Sequence, residues 1–272
     1  MRREAALPNA SSHFQPLWKV LVMFAFARRG LLAILFTLFL PLPALAGETQ
    51  VAVAANFTEP AKEIAAAFQK ATRHTAILSF GSSGNFITQL AHGAPFEVFL
   101  SADAERPIKA EQDGLAVPGS RFTYATGRLV LYSATPGLVD AKGAVLHRGT
   151  FAHIAIADPA AAPYGVAAVQ AMRKLGVYPA LAPKLVKGTS ITQAYQFVAT
   201  GAAELGFVAA SQVIAVSGGS RWPVPKTLHA PIDQQAVLLK TGAKNPAALA
   251  FVRFLKTPHA IAIIRRYGYE TR

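Results

Sequence analysis

The chain has 272 residues and no cysteine, with 27 Lys and Arg against 14 Asp and Glu, a formal charge of +13 at pH 7. That length allows one or two globular domains with a sizeable core. The missing cysteines exclude disulfides, thiolate metal sites, a cysteine nucleophile and a lipid anchor on an N-terminal Cys.

The N-terminus carries a secretory pattern. Arg28 and Arg29 precede an apolar run over 31–45, which ends in Ala44-Leu45-Ala46 before Gly47. These are the basic, apolar and A-x-A parts of a cleaved signal peptide. A retained membrane anchor is the alternative, but Pro41 and Pro43 cut the run short of the roughly 18 to 20 residues that span a bilayer. Cleavage is expected after Ala46, making 1–46 an extension plus signal peptide and the protein periplasmic. Met23 would make a conventional start, so 1–22 reads as an upstream extension in front of Met23 rather than a true start at Met1. Removing 1–46 takes away Arg2, Arg3, Lys19, Arg28, Arg29 and Glu4 and leaves the chain basic. Its cations are thinly spread and not interleaved with aromatics, which speaks against nucleic acid and for a solvated surface that gathers small anions.

From Gln50 the run Val51-Ala52-Val53-Ala54 is a short strand that stops at Ala55-Asn56-Phe57. Thr58-Glu59-Pro60 then opens a helix, with Pro in the first turn and Glu beside it. Ile64, Ala67, Phe68 and Ala71 form its apolar stripe, and Ile77 begins the next strand of a β-α-β unit. Ala76-Ile77-Leu78 leads into Phe80-Gly81-Ser82-Ser83-Gly84-Asn85, beyond which Ile87, Leu90 and Ala91 repeat at helical spacing. Ser82 or Ser83 therefore falls at a helix cap. Such an end carries unpaired N–H groups and about half a positive charge, which suits an anion. The plainer reading is an ordinary capped helix after a tight turn. A nucleophile elbow, G-x-S-x-G, is spoiled by Asn85 where its last Gly belongs, and no Gly-Lys-Ser/Thr follows to make a P-loop.

Residues 96–100 read as a buried strand, 106–113 as a short helix closed by Gly114, and 129–132 as a strand of the kind that crosses between lobes. Residues 154–157 form a strand, and the loop from Asp158 feeds a helix with Val169, Met172 and Leu175 inward. Tyr164 stands at that helix's entrance, either as a packing aromatic or as a ligand contact. After a brief strand at Leu185-Val186, Ser190-Ile191-Thr192-Gln193 is a capping-box pattern opening a helix to Thr200. Residues 205–208 are a strand before a helix start at Ser211, 217–220 a flexible loop, 236–239 a strand, and 246–255 with 258–267 two closing helices. The alternation argues for an α/β fold whose ligands lie at the carboxyl ends of the strands. His147 and His153 show no metal spacing. Asn56, Ser83, Tyr164 and Ile191 thus mark four helix entrances past strand ends, offering neutral hydroxyls, amides and backbone N–H groups.

These residues resemble the periplasmic molybdate-binding proteins of ABC importers over about 50–269. The resemblance rests on Val53-Ala54-Ala55-Asn56-Phe57, Phe80-Gly81-Ser82-Ser83, Gly93-Ala94-Pro95 and Phe99-Leu100-Ser101-Ala102-Asp103. It continues through Ala157-Asp158-Pro159, Pro163-Tyr164-Gly165, Lys174-Leu175-Gly176, Leu205-Gly206-Phe207-Val208 and Arg266-Tyr267-Gly268-Tyr269. It implies a two-lobed type II binding-protein fold, each lobe a mixed, mostly parallel sheet flanked by helices. Lobe 1 would comprise 47–126 and 232–272, and lobe 2 127–231, joined by two hinge strands. The implied function is high-affinity binding of molybdate, and of tungstate with nearly the same size and charge, for delivery to an ABC permease and its ATPase. A monomer without cofactor or catalytic residue is expected. The family's ligand contacts fall on Asn56, Ser83, Tyr164 and Ile191, the last two through backbone N–H, and they touch oxyanion oxygens rather than the metal. Some relatives carry a Tyr where this chain has Ala209, a place that Tyr164 would take over.

Two rival readings stay open. A secreted α/β serine hydrolase would use Ser83 with Asp158 and His229 in chain order. A binding protein for another oxyanion, such as sulfate, would keep the fold; sulfate is smaller and would fit such a cage loosely, and phosphate calls for an acceptor that the four entrances lack.

Overall fold

Val51, Ala52, Val53 and Ala54 are all enclosed, as an interior strand must be when helices cover both faces of its sheet. In the computed structural model, which describes residues 46–271, that run belongs to strand β1, Glu48–Ala54. The signal peptide, its start at Met1 or Met23 and all of its cleavage motif but Ala46 lie outside the described residues.

The first sheet adds β2 (Thr75–Gly81), β3 (Val98–Leu100), β4 (Phe122–Gly127) and β10 (Ile232–Leu238), in the order β2-β1-β3-β10-β4. The second holds β5 (Leu129–Ser133), β6 (Ile154–Ala157), β7 (Leu185–Gly188), β8 (Leu205–Ala209) and β9 (Ser220–Pro223), in the order β7-β6-β8-β5-β9. The two orders are the same pattern. β1 runs parallel to β2 and β3, and β6 to β7 and β8. β10 is antiparallel to β3 and β4, and β5 to β8 and β9. Each sheet therefore has a single reversed strand. Both reversed strands are those the chain enters directly from the other sheet: β5 follows β4 across Arg128 alone, and β10 follows β9 across 224–231. With no α-helix in between to carry the chain back, only the 3-10 turn Lys226–Leu228 before β10, a strand must start at the end where its predecessor stopped.

Alternation sets the two faces of the first sheet. Val51 and Val53 pack with Phe57, Ile64, Phe68 and Phe251, while Ala52 turns to Phe86, Phe99 and Val237 on the other side. Phe68 meets Phe251 and Phe254 edge-on at 5.2 and 5.6 Å, which ties helix α1 (Thr58–Thr72) to α9 (Pro246–Phe254). In the second sheet Leu131, Ile154, Ile156 and Phe207 share a core with Met172, from the helix Pro163–Lys174.

Several elements differ from the sequence reading. The strand at 129–132 does not span both sheets; it lies wholly in the second, and Arg128 makes the crossing. Ser220 opens β9 rather than closing a loop, because Ser220 to Pro223 pair with β5 and bury Trp222. The strand Phe122–Gly127 and the one-turn helices Val145–Arg148 and Tyr178–Leu181 had no periodic signal of their own, and the helix starting near Ser211 is only Ala210–Val213.

Candidate functional site

Helix α2 (Ser83–Ala91) shows how the chain builds one wall of the site. Ser82 holds extended dihedrals and its Oγ accepts the Asn85 N–H at 3.3 Å, so Ser82 is the cap. Ser83 is thereby released from capping. Its Oγ accepts the Ala102 N–H at 2.9 Å, which leaves the hydroxyl proton to be donated. Ser83 is 1% exposed.

Helix α7 (Ile191–Ala199) repeats the arrangement. Ser190 Oγ accepts the Gln193 N–H at 3.3 Å, and Ile191 is the first helical residue, whose N–H has no intrahelical acceptor. The return bond expected of a capping box is displaced by one residue: Gln193 Oε1 accepts from Thr189 N–H at 2.6 Å, not from Ser190. Helix α5 (Pro163–Lys174) has Pro163 in its first turn and no side-chain cap on Ala162. The Tyr164 N–H is therefore an uncapped first-turn donor. Gly165 is required beside it, because a Cβ there would sit 2.1 Å from the Ala157 carbonyl oxygen.

The Tyr164 ring plays the packing role. It is 1% exposed, its hydroxyl accepts from Gln234 Nε2 at 3.3 Å, and burial pushes its pKa well above the usual value. A Cβ on Gly127 would come within 2.2 Å of that hydroxyl, so the ring reaches the point where β4 ends.

Asn56 sits in the 3-10 turn Ala55–Phe57 at the end of β1. Its side chain is not a free amide donor, contrary to the sequence expectation: Nδ2 donates to Gln234 Oε1 and to Tyr269 Oη, both at 2.9 Å. Its carbonyl accepts from Tyr269 Oη at 2.6 Å and from Ser211 Oγ at 2.8 Å. What Asn56 can present to an anion is its backbone N–H, in the first turn where no intrahelical acceptor exists.

Asn56, Ser83, Tyr164 and Ile191 come together around one cavity, with Ala54, Ala55, Gly81, Ser82, Ala102, Ala162 and Pro163 completing the lining. The lining contains no charged side chain. The cavity is small, about 200 Å³ of empty space, part of which opens to solvent. The arrangement is a neutral cage whose donors are hydroxyl and first-turn amide groups, chemistry suited to holding an anion that needs no proton acceptor.

A second layer went unread in the sequence. Tyr124, Gln234, Tyr269 and Ser211 form a buried network behind Asn56, with Tyr124 Oη donating to Gln234 Oε1 at 3.0 Å. Burial holds all the phenols neutral: Tyr269 is pushed up to about 12, and Tyr124 well above its usual value with help from Tyr269 and Asp103 nearby. Tyr269 lies 213 positions from Asn56, so no local pattern could join them. Ala209 is buried at the end of β8, and its N–H donates to Gln212 Oε1 at 2.9 Å.

The triad of the hydrolase reading is not assembled. Ser83 Oγ is bound to Ala102 N–H, Asp158 Oδ1 accepts from Ala160 N–H at 3.1 Å, and His229 Nδ1 lies 2.7 Å from the Ala230 carbonyl. Chain order was its sole support, and the fold sends the three side chains to separate backbone partners. Among the described residues no group of three His, Cys, Asp or Glu could hold a metal ion.

Comparison with known proteins places this geometry. The family model of the bacterial extracellular solute-binding proteins matches residues 49–270. The molybdate-binding protein ModA of Rhodobacter capsulatus is 62% identical over 244 residues, covering 90% of this chain and 96% of its own. ModA of Azotobacter vinelandii is 58% identical over 229 residues, covering 83% and 91%. The solved structure of the periplasmic molybdate-binding protein from Azotobacter vinelandii superposes with a TM-score of 0.80 at 44% identity, over 82% of this chain and 99% of that one.

Proposed function

The chain belongs to the bacterial extracellular solute-binding protein family, and we propose that it captures molybdate in the periplasm for delivery to an ABC import permease with its ATPase. The observation that carries this reading is the neutral cage, in which helix entrances from both sheets meet at one small cavity. The relatives that match nearly the whole chain are named for binding molybdate, and a compact, fully ionised tetrahedral anion is the kind of ligand such a cage accepts.

In this reading the two sheets are the lobes, 47–126 with 232–272 and 127–231, hinged at Arg128 and at 224–231. The anion is held by the Ser83 hydroxyl and by the N–H groups of Asn56, Tyr164 and Ile191. Charge-assisted bonds contribute about 1.5 to 3 kcal/mol each, so a handful supports micromolar to nanomolar binding after desolvation and closure. Closure is assisted by bonds between the lobes outside the cavity: Ser211 Oγ donates to the Asn56 carbonyl at 2.8 Å and Thr192 Oγ1 to the Ala55 carbonyl at 3.3 Å. The cavity is completed within one chain, so a monomer suffices, and no residue of the cage acts as a catalyst. No feature of the lining separates tungstate from molybdate, and both are expected to bind.

Calorimetric titration of ligand-stripped protein with molybdate, tungstate, sulfate and phosphate tests the proposal. Tight one-to-one binding of the first two with weak or absent binding of the others is expected. Folded protein that gives no heat with molybdate would overturn it.

A further inference from the structure

Gly84 occupies a place that ordinary helix chemistry does not reserve for glycine. It is the second residue of α2, its φ is not positive, and alanine is the better helix former at such a position. What the position lacks is space. The Gly84 N–H donates to the Ala161 carbonyl at 2.8 Å, and Ala161 belongs to the loop between β6 and α5, in the other sheet's half of the molecule. A Cβ on Gly84 would lie 2.8 Å from both the Cα and the carbonyl oxygen of Ala161, a distance at which something must move. The obstacle is backbone, so no change of the Ala161 side chain relieves it.

The receiving loop is stiff. Asp158 Oδ1 accepts the Ala160 N–H at 3.1 Å, and the Asp158 carbonyl accepts the Ala161 and Ala162 N–H groups at 3.1 and 2.8 Å. The same loop is gripped a second time from the first sheet's half: Arg106 Nη2 donates to the Ala160 carbonyl at 3.4 Å, while its other nitrogen pairs with Asp103. Immediately before Gly84 is the donor Ser83, and immediately after Ala161 are Ala162 and Pro163 of the cavity wall. Contact between Gly84 and Ala161 thus sets how closely two walls of the cage approach.

We infer that Gly84 is a closure-determining residue, whose missing side chain lets the backbone of α2 latch onto Ala161 and hold the two halves shut over the bound anion. This rests on the molybdate reading for its ligand but not for its contact. The latch exists only in the closed form, so it acts on release of the ligand and leaves capture nearly untouched.

The test compares purified wild type with Gly84→Ala. The variant is expected to melt at the same or a higher temperature without ligand, to bind molybdate at least tenfold more weakly, and to show the loss in the dissociation rate by stopped flow. Small-angle scattering is expected to show a smaller compaction of the variant on adding molybdate. Gly84→Val should worsen each effect, and Ala161→Gly added to Gly84→Ala should not restore affinity. A folded Gly84→Ala that binds and releases molybdate as wild type does overturns the latch. If wild type itself binds no molybdate, the ligand reading fails and the latch is judged on whichever of tungstate, sulfate or phosphate wild type does bind. Tenfold weaker binding with faster release in Gly84→Ala supports it, unchanged binding and release overturn it, and a wild type that binds none of them overturns it too, since nothing is then held shut.

Discussion

Replacing Ser83 by Ala removes a hydroxyl that the helix entrances offer an anion, and its two hydrogen bonds register in different measurements. The bond donated to the ligand exists only in the complex. Its loss of about 1.5 to 3 kcal/mol falls on affinity and corresponds to a Kd about 10- to 150-fold weaker. The bond accepted from Ala102 N–H at 2.9 Å exists with or without ligand. Both residues lie in the first sheet's half of the molecule, so the loss of this bond costs about 0.5 to 1.5 kcal/mol of folding stability that cancels from the binding difference. Calorimetric titration with molybdate reads the first quantity, and the melting temperature of ligand-free protein reads the second. A Ser83→Ala protein that folds and binds molybdate within twofold of wild type would refute Ser83 as a donor to the anion. Weakened binding with an unchanged melting temperature would instead refute the structural bond to Ala102.

Asn56→Asp sets a carboxylate beside the cage and removes the donor that serves both Gln234 and Tyr269; like-charge juxtaposition costs several kcal/mol, so titration at pH 8 should detect a loss of more than about 100-fold. Tyr269→Phe deletes the hydroxyl that bonds the Asn56 carbonyl and should lower stability by about 1 to 3 kcal/mol in urea unfolding. The phenols also predict an alkaline limit. Tyr269 ionises at about 12 rather than 10.0, so the unfolded chain loses that proton first; the resulting stability, about 2 to 3 kcal/mol, is complete below pH 10 and is lost as pH rises from 10 towards 12. Melts across that range should fall steeply in wild type and less so in Tyr269→Phe. Gly165→Ala drives a Cβ to 2.1 Å from the Ala157 carbonyl, and overpacking of this kind costs about 1 to 3 kcal/mol; a variant with an unchanged melting temperature and unchanged molybdate affinity would contradict that close approach.

Much of the architecture is written locally. The enclosed run at Val51-Ala52-Val53-Ala54, the stripe of Ile64 and Phe68, and the caps at Ser82 and Ser190 depend on neighbours within a few positions, where side-chain period and capping chemistry act. The same local signals brought out Asn56, Ser83, Tyr164 and Ile191 as helix entrances, since a strand end followed by a helix start is visible in the chain itself. Elements held mainly by their partners were not legible: Ser220 to Pro223 become a strand because β5 offers an edge to pair with.

What tertiary structure alone decided is how those entrances are used. Local sequence could not tell that the Asn56 amide is spent on Gln234 and Tyr269, 178 and 213 positions away, or that the Tyr164 ring packs against Gly127 while its backbone lines the cavity. Nor could it tell that Gly84 is glycine for the sake of Ala161 rather than for its own turn. Hydrogen bonds and van der Waals contact act over a few ångströms of space without regard to separation along the chain, so the sequence determined which groups could bind an anion, and the packing of one half against the other decided which of them are free to do so.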